Sequence, residues 1–285
     1  MMELNMIYIT YILAVACPLL VFGLMIYRYR LSIEPLPEKA PVIEIGEENA
    51  IGSIEVQEDA GGAAQKDWGL LTVLADGIGK GQAGRNAALV TVRTFLQLFS
   101  SEDVTGNTSY FFTQAFNQSN REILERLQGS KGGAGAAAVL ISKGYLYYAS
   151  VGDVKISLLR EQELVPVNDG HTMKTAALRG YNNGVLDREQ ALAISKTDRQ
   201  ANYIGRDGFK NIEIGREAIM LIPGDIVVLM TDGFHKCISC LEMETILNQP
   251  LLPQQMAEQL IEIFNKNPMQ NKDNASLFVL RYNGE

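Results

Sequence analysis

Cysteine, histidine and tryptophan are scarce in this chain: three, two and one among 285 residues. Cys17 lies in an apolar N-terminal run, so only Cys237 and Cys240 remain for the rest of the chain. That excludes a disulfide framework and fits a reducing compartment. A single CxxC pair cannot fill a structural zinc site either. Its residues read as ordinary packing at a helix start, with redox sensing as the alternative. Basic excess is also missing. The formal net charge is −8, which argues against a nucleic-acid binder, since that would need a basic face. Internal repeats and low-complexity tracts are absent as well.

One long apolar run is present, IYITYILAVACPLLVFGLMIY, residues 7–27, with no charge in it. At about 1.5 Å per residue it can cross a hydrocarbon core of roughly 30 Å. Pro18 does not exclude a span. A cleaved signal peptide would want basic residues ahead of the run, where only Glu3 stands. Arg28 and Arg30 follow it instead, so the expectation is a retained anchor over 1–30 with the C-terminal side cytoplasmic. Residues 31–41, with Pro35, Pro37 and Pro41, read as an extended linker. The soluble domain is expected over 42–285.

That domain centres on LLTVLADGIGKGQAG, residues 70–84: a buried-strand pattern, an emerging Asp76, then glycines and a helical run. The segment 79–84 satisfies G-x-G-x-x-G, which keeps a dinucleotide site under consideration. Asp76 would set like charge against a pyrophosphate, which needs amide donors. No second strand ending in an acid follows about 20 positions on. The Walker pattern fails because Gly81 follows Lys80. Further strands are expected at 42–47, 52–58, across 135–160 with a Lys143-Gly144 hairpin turn, at 212–214, within 225–233 and at 275–282. Helices are expected at 85–99, 109–128, 187–193, 234–247 and 253–264. Strands in runs with helix pairs between them indicate an α+β fold rather than βαβ alternation. Trp68 reads as core, and His171 as ordering its own loop.

Six acids share one grammar: Glu58, Asp59, Asp76, Asp153, Asp232 and Asp273 each lie at or beside an end of an apolar strand. A single such aspartate is an ordinary turn residue. Several brought together repel one another, and cations are needed to keep them ionised. All-oxygen ligation selects Mg²⁺ or Mn²⁺ over zinc. A pair of such ions about 3.5–4 Å apart can activate water for in-line attack on phosphorus.

At these residues the chain resembles the PPM-type, protein phosphatase 2C-like, metal-dependent serine/threonine phosphatases of bacteria. The matching text is Glu58-Asp59, Ala75-Asp76-Gly77-Ile78-Gly79, Gly135 and Val151-Gly152-Asp153, Asp169-Gly170-His171-Thr172, Pro223-Gly224-Asp225, Thr231-Asp232-Gly233 and Asp273-Asn274. The resemblance implies a β-sandwich flanked by helix pairs, with Asp76, Asp232 and Asp273 as main metal ligands. It further implies a Gly77 carbonyl ligand, Glu58 or Asp59 holding metal or its waters, and Asp153 helping a weaker third ion. Phosphorylated proteins are the implied substrates and a serine/threonine kinase the implied opponent. Water attacks directly, with no covalent enzyme intermediate. One departure concerns the substrate: Ile54, or Glu55 in the next register, stands where many members carry a phosphate-gripping arginine. Lys80 or Arg85 is the nearby substitute. Ile78 stands where animal members carry a histidine. A weakly active phosphatase-like signalling or binding module is the alternative.

Overall fold

The computed structural model describes residues 41–79, 82–127, 131–197 and 200–284. The anchor expected over 1–30 and nearly all of the linker lie outside these residues. Among the described residues, no helix is long and apolar enough to cross a membrane.

The chain runs through β1 (Ile43–Ala50), β2 (Ala60–Lys66), β3 (Gly69–Gly79), α1 (Gln82–Ser101) and α2 (Thr108–Leu127). Four strands follow: β4 (Gly132–Ser142), β5 (Tyr145–Val151), β6 (Lys155–Arg160) and β7 (Glu163–Pro166). Next come α3 (Met173–Asn182), α4 (Arg188–Ser195), β8 (Glu213–Ile214), β9 (Ile219–Met220) and β10 (Ile226–Met230). The described elements close with α5 (Asp232–His235), α6 (Cys240–Leu247), α7 (Pro253–Lys266) and β11 (Ala275–Tyr282).

The strands form two antiparallel sheets, ordered β1-β11-β10-β6-β7 and β2-β3-β4-β5-β8, with β9 also paired to β5. Successive side chains of a strand point to opposite faces, and here both faces are covered. Leu70 and Leu74 of β3 meet Val227 and Leu229 of β10 between the sheets. Their neighbours Leu71, Val73 and Ala75 pack outward on Phe95, Phe99 and Phe116 of α1 and α2. On the other side, Val228 and Met230 pack on Met256, Leu260 and Phe264 of α7. The result is a sandwich between helix layers, the α+β class expected, and double burial explains why β3 and β10 read as unbroken apolar runs.

Three local expectations fail for physical reasons. Residues 52–58 are a loop, not a strand. Gly52 takes a left-handed turn at φ 67°, and the loop's backbone is bonded to Asn274 and Lys272 rather than to a ladder. The helix expected over 234–247 is two, because Ser239 caps a fresh start with a reciprocal bond to Glu242. α3 adds to the expected helices: it is only ten residues long, carries Gly180 within it and buries only Ala177. α4 begins where Asp187 and Gln190 form a capping box.

Candidate metal centre

In an antiparallel sheet the end of one strand and the start of the next lie on the same edge. Asp76 near the end of β3, Glu58-Asp59 before β2, Asp232 after β10 and Asp273 before β11 therefore come to one end of the sandwich. Asp153 joins them from the turn where the chain passes from β5 in one sheet to β6 in the other. Asp76 continues the inward face of Leu70, Thr72 and Leu74, opposite Gly135 of β4.

Carboxylate oxygens of Asp76, Asp153 and Asp232 lie within 4.8 Å of one another. Asp59 and Asp273 stand around that group and feel its charge. Asp273 thus sits outside the tightest trio, and Asp153 inside it, although the family resemblance ranks the two the other way. Burial pushes the Asp76 carboxyl well above the usual carboxylate range, and Asp59, Asp232 and Asp153 push it further. Asp59 is raised to about 7, first by burial and then by Asp232 and Asp273, against hydrogen bonds from Ser276 and Thr231 that lower it. Burial also raises Asp273. Such a set is costly as bare anions and fits hard divalent cations, with oxygen as the only donor.

Several supports escaped the sequence reading. Thr231 donates its hydroxyl to Asp59 Oδ2 at 2.9 Å and accepts from the Ser276 amide at 2.9 Å. The Asn274 side chain accepts from the Glu58 amide at 2.7 Å and donates to the Ile51 carbonyl at 2.9 Å. It straps the acid-bearing loop to β11. Gln200 donates to Asp153 Oδ1, a contact that no local pattern announces. Two glycines allow the close approaches. A Cβ on Gly77 would lie 2.5 Å from the Glu58 carbonyl oxygen, and one on Gly233 would collide with the Asn274 carbonyl.

Other motif residues lie away from the acids or build their surroundings. Asp225 is buried in a two-pronged pair with Arg160, at 3.1 Å and 2.5 Å, near the opposite end of β10. Glu213 accepts from the Asp169 and Gly170 amides, at 2.8 Å and 2.9 Å. His171 Nδ1 accepts from the Gly152 amide at 3.3 Å, consistent with a loop-ordering role. Cys237 and Cys240 are free thiols, and Trp68 stacks edge-on against Phe99.

A family profile described as Protein phosphatase 2C matches residues 48–273, most of the chain. The chain belongs to the protein phosphatase 2C family. It is a metal-dependent serine/threonine protein phosphatase of the PPM type, with Mn²⁺ or Mg²⁺ as its ions and phosphoproteins as substrates. Among its relatives is the serine/threonine phosphatase stp of Listeria innocua, 22% identical over 79% of this chain and 90% of that protein. Its fold matches that of the Streptococcus agalactiae serine/threonine phosphatase with a TM-score of 0.75, at 23% identity over 85% of this chain and all of that one. The catalytic domain of the phosphatase PstP, solved with two manganese ions, matches with a TM-score of 0.66 at 22% identity, over 84% of this chain and 98% of that one.

Proposed function

We propose that this protein is a membrane-anchored phosphatase that removes phosphate from phosphoserine and phosphothreonine of cytoplasmic proteins, opposing a serine/threonine kinase. The observation that carries the catalytic part is the meeting of Asp76, Asp153 and Asp232 within 4.8 Å at the sandwich end. In this reading Asp76, Asp232 and Asp273 are the principal ligands, with the Gly77 carbonyl beside them. Glu58 or Asp59 holds metal or its waters, and Asp153 serves a third, weaker ion. Bound there, paired Mn²⁺ or Mg²⁺ ions supply the Lewis acidity that activates water for in-line attack on phosphorus.

The chain's own residues orient and bind. Thr231 and Ser276 fix Asp59 from the β10–β11 side. Asn274 holds the Glu58 backbone beside Asp273. Substrate phosphate falls to Arg85, on the first turn of α1, whose Nη1 donates to the Gln57 carbonyl at 3.0 Å. That bond uses one of the five guanidinium donors and keeps the group next to the acidic pair. Gln57 lies three residues from Ile54, the position where many members carry the arginine, and this contact supports Arg85 as its substitute over a module without turnover.

Residues 7–27 carry the anchor in this reading, supported by their unbroken apolar composition and by Arg28 and Arg30. The test is phosphate release from a phosphothreonine peptide by the full chain in detergent with Mn²⁺. Chelator-sensitive turnover is expected, and its absence would overturn the catalytic reading. Labelling intact cells from outside tests the anchor, and an externally reachable C-terminus would overturn it.

A further inference from the structure

One cation at the acidic end belongs to the chain itself. Lys236 follows Asp232 by one helical turn, and its ammonium donates to Asp232 Oδ2 at 2.8 Å. The backbone sets this spacing: the Lys236 amide donates to the Asp232 carbonyl at 3.0 Å, so the turn itself presents the side chain to its partner. The lysine side chain is 41% exposed and the aspartate 17%, which places the pair on the solvent-facing side of the acids. The same charge acts on Asp273, offsetting part of the upward push from Asp232.

Asp232 also belongs to the trio with Asp76 and Asp153. One of its two carboxylate oxygens is therefore engaged by an ammonium within the very group suited to divalent ions. An ammonium has three donors and no lone pair, so it cannot ligate a metal. It can only neutralise the oxygen or compete for it. Among the described residues, three other cations of this neighbourhood are engaged differently, Lys272 by donating to the carbonyls of Phe264, Asn265 and Asn267. The Lys155 ammonium donates to the Asp169 carbonyl at 2.7 Å, and Arg85 donates to the Gln57 carbonyl.

We propose that Lys236 is a built-in counter-ion of the metal centre, its ammonium taking the outer cation place at Asp232 and weakening or excluding a divalent ion there. The inference rests on the reading of these acids as metal ligands. It assigns this chain a lower demand for the outer, weaker ion than its acids alone would create. The lysine supplies one positive charge where a divalent ion supplies two, and because it is tethered to the chain it supplies that charge at any free-ion concentration.

The test is Mn²⁺ titration of the full-length, metal-stripped protein by calorimetry, comparing the parent chain with Lys236→Met, Lys236→Gln and Lys236→Arg. Removing the charge in Met or Gln is expected to tighten the weakest Mn²⁺ site by about tenfold, the scale of one unit charge beside a partly solvated divalent site, or to add one ion per chain. Arg is expected to bind Mn²⁺ as the parent does. Isotherms of Met and Gln that match the parent in number and affinity would overturn the inference. So would a raised KM for phosphopeptide with unchanged Mn²⁺ binding, because that outcome makes Lys236 a substrate contact. A parent chain that takes up no Mn²⁺ overturns the metal-centre reading along with it, which separates the two failures. With Lys236 part-exposed, Gln retains a polar end, so the comparison survives if Met folds poorly.

Discussion

Asp76 is held by the sandwich in a place where its charge is unwelcome until a cation arrives, because burial and three neighbouring aspartates all disfavour its ionised form. Asp76→Asn keeps the shape and removes the charge. The expected outcome is a metal-free protein whose melting midpoint rises by a few degrees, about 2–4 °C per kcal/mol for a domain of this size. Mn²⁺ binding should be lost and turnover should fall by about a hundredfold or more. Calorimetry with and without Mn²⁺, beside a phosphopeptide assay, checks both halves. Arg85 gives a contrasting case. Arg85→Ala is expected to raise KM for a phosphothreonine peptide about tenfold, the worth of one charge-assisted contact, with kcat little changed. Mn²⁺ isotherms should stay as in the parent. Arg85→Lys should recover only part of the loss, since an ammonium cannot present a planar fork.

The 51–59 loop shows how one element depends on another far along the chain. Its amides and carbonyls find partners in Asn274 and Lys272 at the start of β11 instead of in a sheet. Asn274 is buried, so Asn274→Ala leaves the Glu58 amide and the Ile51 carbonyl without their partners. The expected cost is about 2–3 kcal/mol, read as an earlier denaturation midpoint. Activity should fall as well, because Glu58 loses its position, and a variant with parent stability and activity would contradict the strap. An alternating pattern such as GSIEVQE suggests a strand on its face. Only the competing partners show why it is a loop, and they lie more than 200 residues away. α3 is hard to read for another reason: it is ten residues long with Gly180 among them, so its apolar spacing runs for too few turns to stand out from the polar stretch around it.

At the scale of the whole molecule, the gathered carboxylates tie stability to pH and metal together. Asp59 titrates near 7 in the fold, against an ordinary value of 3.8. The metal-free fold therefore binds the extra proton, and Asp59's contribution to stability is full below about 3.8 and lost as pH rises toward 7. Asp76 and Asp273 shift in the same direction. Chelated protein is expected to melt earlier at pH 8 than at pH 5.5. Mn²⁺ should raise the midpoint most at pH 8, where the carboxylates are ionised and available, and so flatten or reverse the trend. Melting curves over that range with chelator and with Mn²⁺ test this, and a chelated midpoint that climbs with pH would count against it.

The α+β class, most of the elements, the Lys143-Gly144 hairpin and the family follow from local chemistry: apolar period, glycine at sharp turns, and acids placed beside strand ends. Those properties reside in neighbouring residues, so the amino-acid order alone carries them. Which acids meet is a matter of sheet pairing. Asp153 enters the tightest trio because the chain changes sheets at Gly152-Asp153, and Asp273 stays just outside it. The holding of Asp59 by Thr231, of Glu58 by Asn274 and of Asp153 by Gln200 was likewise decided by the tertiary structure. The acids' raised proton affinity was decided there too, because burial and like-charge proximity exist only once distant segments have packed together.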